Sequence, residues 1–417
     1  MANISKIKTV YGQEIIDSRG NPTVEATVVL ENGTGATASV PSGASTGIHE
    51  ALELRDGGNR FDGMGVKKAV NNINCEICPA ITGLQPCQSL IDQRLIELDG
   101  TEDKSKLGAN AILAVSLACA KAASQEYRLP LYRYIGGISG CRMPVPMMNV
   151  LNGGAHARNN LDIQEFMIVP HGFESFSESL RAGCEIYHTL GRILAYDKKS
   201  TAVGDEGGFA PDLQNEDEAI EYLLRAVKEA GYSTAQVKIS IDAAVSEWFD
   251  GENYKAPKTG EAFTSETLCD KWQSLIDRYP IFSIEDGLAE DDFAGWQKMT
   301  ERLGSRVSLV GDDLFVTNNE RLNRGIDLKI ANSILIKPNQ IGTLTETINV
   351  IKTAKENGYK TIISHRSGET EDVSIADIAI GMNAGYIKCG APCRTDRAAK
   401  YNRILRIETQ LGENAIF

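Results

Sequence analysis

No apolar run in the sequence approaches the roughly 20 residues that a membrane-spanning helix needs. The first residues, MANISKIKTVYGQEII, show no basic region leading into an apolar stretch, so no secretory signal is expected. Positive charge is also scarce: 43 Lys and Arg stand against 56 Asp and Glu, for a formal net charge of −13. That balance speaks against a general nucleic-acid surface, which shows a basic stripe. It leaves room for an anionic small molecule, because a few lysines and a bound metal make one pocket locally positive. Neither G-x-G-x-x-G nor G-x-x-x-x-G-K-[ST] occurs, which removes the usual phosphate loop of a doubly wound open sheet. A paired cysteine motif is missing as well. Cys75-Glu-Ile-Cys78 has metal or redox spacing, but it lies in a helical-looking stretch and only Cys389 and Cys393 offer a second pair. The nine cysteines therefore read as free thiols in a reducing cytoplasm.

At 417 residues the chain exceeds ordinary single-domain length, so two domains are expected. Strand-like TVEATVVL and GATASV are joined across Asn32-Gly33, a strong hairpin signal. The pattern turns helical after Gly65, with an Ala/Leu-rich segment ending before Leu129-Pro130. The glycines from Gly136 to Gly140 suit a linker. The expected division is an α+β domain over residues 1–135 and a second domain over residues 141–417.

The second domain carries the most informative pattern. Short apolar runs end on Asp242, Glu285, Asp312, Lys337, His365-Arg366 and Lys388, at steps of 23 to 43 residues. That rhythm suits a strand, a helix and a return. In a closed barrel such strand ends meet on one face, where catalysis sits. Two earlier candidates, VPMMNV and EFMIV, raise the count to eight strands, enough to close a barrel. Between them and the repeats lie two helices separated by TAVGDEGGFAP. The second helix shows an apolar face of Ile220, Leu223, Leu224 and Val227 and is stopped by Gly231.

Three carboxylates on consecutive strand ends then face one site. At ~4 Å each pair would repel by roughly 4 kcal/mol at an effective dielectric near 20, a cost that a cation or protonation removes. An all-oxygen set suits Mg²⁺. The plainer alternative is that each acid caps the following helix. Lys337, crowded by such an ion and a second lysine, is expected to have a lowered pKa and to act as a base; an ordinary ion pair to Asp313 is the alternative. Three loops complete the pattern: Pro41–Gly47 as a lid, Asn152–His156 carrying a histidine, and Gly204–Gly208 holding an acid.

These segments resemble the enolase family, and the bacterial members most. The stretches that carry the resemblance include DSRGNPTVE, PSGASTGIHEALELRD, NVLNGGAHA, QEFMIVP, AVGDEGG, SIED, GDDLFVTN and SHRSGETED, and they run along essentially the whole chain. The resemblance implies an α+β capping domain and a β/α barrel whose second strand runs antiparallel. It also implies phosphopyruvate hydratase activity, the reversible dehydration of 2-phosphoglycerate to phosphoenolpyruvate. At matching positions Asp242, Glu285 and Asp312 would hold Mg²⁺. Ser42 would help bind a second Mg²⁺ that comes with the substrate. Lys337 would take the C2 proton, and Glu206, with Glu165 beside it, would protonate the departing C3 hydroxyl. Arg366 and Ser367 would grip the phosphate, and His156, Gln164 and Lys388 would contact substrate. A homodimer or larger homo-oligomer in the cytoplasm is implied, and some family members have an additional surface pool and act as receptors through C-terminal lysines. The chain ends in Asn414-Ala415-Ile416-Phe417, so that terminal route is not expected. Acid-sugar dehydratases and racemases often carry Lys-x-Lys on the second strand, where this chain has Gln164-Glu165. Cys389, where threonine is common, and Pro338 depart from the pattern without changing a charged position.

Overall fold

The computed structural model describes residues 5–43 and 47–417. Residues 44–46, within the loop read as a lid, lie outside the described residues. The chain begins with an antiparallel sheet of β1 (Ile7–Ile16), β2 (Pro22–Leu30) and β3 (Gly35–Ser39), in that order. The β2–β3 hairpin turns where expected, with Gly33 at φ +89°, a region that glycine enters freely. Alternation along β2 buries Val24, Ala26, Val28 and Leu30. The helix Ala109–Glu126 packs on β2 and β3, and its alanines allow that close approach. The same helix touches the short helix Pro338–Ile341 at the barrel rim, and Ser116 Oγ accepts from the Leu344 amide at 3.0 Å. The first domain is thereby fastened beside the residue that follows the SILI strand.

The barrel strands are β4 (Val145–Asn152), β5 (Glu165–Pro170) and β6 (Val237–Asp242). A small hairpin, β7 (Tyr254–Lys255) and β8 (Ala262–Phe263), interrupts the series. The remaining staves are β9 (Ile281–Glu285), β10 (Ser308–Gly311), β11 (Ser333–Ile336), β12 (Lys360–Ser364) and β13 (Tyr386–Lys388). They close in the order β10-β11-β12-β13-β4-β5-β6-β9. β5 is antiparallel to both β4 and β6, and the other barrel pairs are parallel. Because β5 runs backwards, its first residue reaches the mouth that the other strands reach with their last. Glu165 accordingly sits in register with Asp242.

Met147, Met167, Val169, Val310, Leu335 and Ile362 form a separate apolar plug inside the barrel. It leaves the polar chemistry to the C-terminal mouth. The helix Glu216–Glu229 buries Ile220, Leu223 and Val227 and ends before Gly231, as its periodicity requires, while Leu224 is half-buried. No helix among the described residues is long and apolar enough to cross a membrane.

Candidate active site

Every strand end singled out in the sequence lies at one mouth. Asp242, Glu285 and Lys388 are the last residues of β6, β9 and β13. Asp312, Lys337 and His365 follow β10, β11 and β12 by one residue. His156, Gln164, Glu206, Arg366 and Ser367 line the same pocket.

One wall is built from acids and lysines. Lys388 Nζ lies 2.8 Å from Glu285 Oε1 and 3.1 Å from both Asp242 Oδ2 and Glu165 Oε2. Burial works against its charge, but Asp242, Glu165 and Glu285 outweigh burial and hold it well above the usual lysine range. Lys337 pairs with Asp312, whose Oδ1 also accepts from Gln340 Nε2 at 2.9 Å. The alternative partner Asp313 is not the one chosen. Burial pushes the Lys337 ammonium down, yet the Asp312 carboxylate raises it further, so the net shift is upward. The expected lowering assumed an ion competing for Asp312, whereas here the carboxylate faces the lysine directly. Asp286, which follows Glu285, accepts from the Asp312 and Asp313 amides at 2.9 and 2.8 Å and orients that turn.

A second wall is built from acids and histidines. Glu206 Oε2 accepts from Asn149 Nδ2 at 2.9 Å, and Oε1 accepts from Ser367 Oγ at 3.0 Å. His156 Nδ1 lies 3.4 Å from Glu165 and 3.8 Å from Glu206, and His365 Nε2 lies 3.5 Å from Glu206. Burial raises Glu165 well above the carboxylate range, and the neighbouring Glu206 adds to it. Burial pushes Glu206 up too, but His365 and His156 hold it well below. The two acids share one proton most easily, with Glu165 carrying it.

Arg366 points between the walls. It donates to Glu50 Oε2 at 2.9 Å and to Asn339 Oδ1 at 3.1 Å. Ser42 stands apart: its hydroxyl donates to Asp17 and accepts from Arg19, each at 3.0 Å, while its backbone bridges Gly368.

The acids fit a divalent cation at the first wall. Asp242, Glu285 and Asp312 are all buried, Glu285 Oε2 accepts no hydrogen bond among the described residues, and burial with Asp242 raises Glu285 well above the carboxylate range. Hard oxygen donors carrying excess negative charge are the ligands that Mg²⁺ selects. The trio is not the tightest cluster, because Lys388 draws Asp242 and Glu285 while Lys337 draws Asp312. Ligand atoms lie within 4.8 Å of one another in two other sets, His156–Glu165–Glu206 and Asp286–Asp312–Asp313. Ser42 does not fit an ion as it stands, since its hydroxyl is committed beside the Arg19 cation.

Asn149, Glu50, Gln340 and Asp286 belong to the site but were not singled out in the sequence. Asn149 had a signal, a lone amide inside the apolar run VPMMNV, and Asp286 adjoins Glu285 in SIED. Glu50 reaches the site only through the packing of the first domain on the barrel, whereas Gln340 reaches it from the short helix that follows Lys337.

Comparison with known proteins agrees with this architecture. The model for the enolase N-terminal domain matches residues 7–135, and that for the enolase C-terminal TIM barrel domain matches residues 140–417. The chain is 55% identical over 410 residues to the enolase of Natranaerobius thermophilus, covering 98% of this chain and 96% of that one. On the strength of both domains and this full-length identity, the chain belongs to the enolase family.

Proposed function

We propose that this mouth dehydrates 2-phospho-D-glycerate to phosphoenolpyruvate, reversibly, with Lys337 as base and the Glu206–Glu165 pair as the proton source. The activity, that of the hydro-lyase phosphopyruvate hydratase, follows from family membership. The residue roles rest chiefly on one observation: Lys337, Lys388, Glu165 and Glu206 all line one small polar pocket. Removing a proton beside a carboxylate and expelling a hydroxyl from the next carbon need a base and an acid on opposite sides. A lysine base with one or two Mg²⁺ ions is the established pattern of the enolase superfamily.

Asp242, Glu285 and Asp312 would hold a divalent cation. When bound, Mg²⁺ supplies fixed positive charge that stabilises an enolate more than the ground state. It would also relieve Lys337 of Asp312, freeing the amine to accept the C2 proton. Lys388 keeps a second fixed charge over the substrate carboxylate. The proton on Glu165 passes within the pair to Glu206 and on to the C3 hydroxyl, which leaves as water. Arg366 and Ser367 grip the phosphate, and His156 and Gln164 complete the contacts. A second Mg²⁺ arriving with the phosphate, with Ser42 as ligand, requires Ser42 to release Asp17.

The same reading assigns residues 1–135 to a capping domain and residues 141–417 to the catalytic barrel, in a cytoplasmic homodimer or larger homo-oligomer. The direct test is purified protein with Mg²⁺ and 2-phosphoglycerate, followed by the ultraviolet absorbance of phosphoenolpyruvate. Absence of product at saturating Mg²⁺ would overturn the reading.

A further inference from the structure

Arg397 is fully buried in the first turn of the helix Thr395–Leu411, and neither proton-transfer role calls on it. Its Nη1 donates to His365 Nδ1 at 2.6 Å and to the Arg366 carbonyl. Its Nη2 donates to the carbonyls of Ser367 and, at 3.2 Å, of Asp205. Asp396 Oδ2, 2.8 Å from Nε, balances the charge. One guanidinium therefore ties together the two loops that carry His365, Arg366 and Ser367 on one side and Glu206 on the other.

The contact with His365 has a chemical consequence. A guanidinium only donates and does not lose its proton in a protein, so Nδ1 of His365 must present a lone pair. A neutral imidazole with an unprotonated Nδ1 carries its hydrogen on Nε2. That nitrogen is buried, has no hydrogen-bond partner among the described residues, and lies 3.5 Å from Glu206 Oε2. The separation is longer than a formed hydrogen bond, and catalytic contacts often tighten only when substrate is bound.

We infer that Arg397 is a positioning residue that fixes His365 as the Nε2–H tautomer and so aims a permanent donor at Glu206. The inference rests on the role proposed above for Glu206. Burial and the adjoining cations Arg397 and Lys388 depress His365 to about 3 against the pull of Glu206, which keeps the ring neutral at working pH. A neutral donor steers the Glu206 carboxylate without taking its proton.

The rest of the helix turn supports the same loop. Lys400 Nζ lies 2.7 Å from Glu369 Oε2 and donates to the Thr370 carbonyl at 2.6 Å, and Tyr401 donates to the Gly390 carbonyl at 2.6 Å. Positions three and four apart share a helix face, so all three anchors point the same way. Gly390 has φ +75°, and a Cβ there would meet the Glu206 carbonyl at 2.7 Å, His365 Cε1 at 3.1 Å and Arg397 Cδ at 3.2 Å. Only glycine lets these groups converge.

The test is nitrogen-15 NMR of the full chain labelled at histidine, with the His365 signals assigned by their loss in His365→Gln. The expected result near pH 7 is an unprotonated Nδ1 and a protonated Nε2 at His365. A proton on Nδ1, or an imidazolium, overturns the inference. This measurement uses the unaltered protein and decides the tautomer even if Arg397 variants fail to fold. Arg397→Lys keeps the charge but cannot serve the ring nitrogen and three carbonyls together. It should lower kcat about 10²-fold, the scale of a displaced catalytic group, and any rise in KM for 2-phosphoglycerate would report the Arg366–Ser367 loop that the same guanidinium holds. The loss should fall on elimination while exchange of the C2 proton with solvent persists. Unchanged kcat in Arg397→Lys overturns the positioning role. Full elimination by Glu206→Gln overturns instead the reading of Glu206 as acid, and with it the purpose assigned to the tautomer.

Discussion

The two walls of the pocket use the same chemical currency, buried carboxylates, and settle their repulsion in opposite ways. On the Lys337 side, ammonium groups and, by proposal, a divalent cation keep Asp242, Glu285 and Asp312 charged. On the Glu206 side, histidines, a serine and an amide orient Glu206, while Glu165 touches both walls through Lys388 Nζ, 3.1 Å from its Oε2. In the proposed roles, the acids of the first wall are met by cations, whereas Glu206 is met chiefly by hydrogen-bond donors and has a second acid, Glu165, close by. The consecutive residues His365, Arg366 and Ser367 divide between these settings, with Arg366 turned toward Glu50 and Asn339 and its neighbours toward Glu206.

Chelation breaks the contrast most completely, because it removes the divalent cation proposed for the first wall. It should abolish activity, with Mg²⁺ restoring it, and Asp312→Ala should reproduce the loss in the presence of Mg²⁺. The check is product formation with and without chelator; full activity in the metal-free protein would contradict the assignment of the acids.

Arg366→Lys is a smaller perturbation. It keeps the charge but loses the bidentate fork, so kcat should fall and KM rise, together costing roughly tenfold to a hundredfold in kcat/KM. Steady-state kinetics decide it, and unchanged parameters would assign Arg366 to structure.

The last effect concerns stability on the histidine side. His365 has a folded pKa of about 3, below its ordinary value near 6.5. A depressed group contributes stability that is present above the ordinary value and lost as pH falls toward the folded value. Between ~pH 6.5 and ~pH 4 the native protein should therefore lose stability relative to His365→Gln, by at most about 1.4 kcal/mol per pH unit. Urea unfolding at several pH values measures this, and parallel curves for the two proteins would contradict the neutral buried ring.

Much of this site was legible because barrel strands announce their ends. An apolar run that stops on Asp, Glu or Lys names both the strand and its functional residue, as at Asp242, Glu285 and Lys388. The antiparallel second strand came from the resemblance rather than from spacing, yet its consequence is simple: Glu165 opens β5 instead of closing it. The pairing of Lys337 with Asp312, which raises the lysine while no ion competes for that carboxylate, was not legible because sequence gives neighbours along the chain and not the partner across the pocket. Arg397 left no local signal, since one arginine in an ordinary helix turn becomes informative only when the loops it clamps are folded around it. Glu50 depends likewise on how the first domain lands on the rim.

The claim that the walls perform separate proton transfers is tested most directly by deuterium exchange at C2 of 2-phosphoglycerate, measured across pH in Lys337→Ala and Glu206→Gln. With Lys337 as base and Glu206 as acid, Lys337→Ala loses both exchange and elimination, whereas Glu206→Gln loses elimination and keeps exchange. Exchange retained in Lys337→Ala and lost in Glu206→Gln would contradict the account and reverse the two walls.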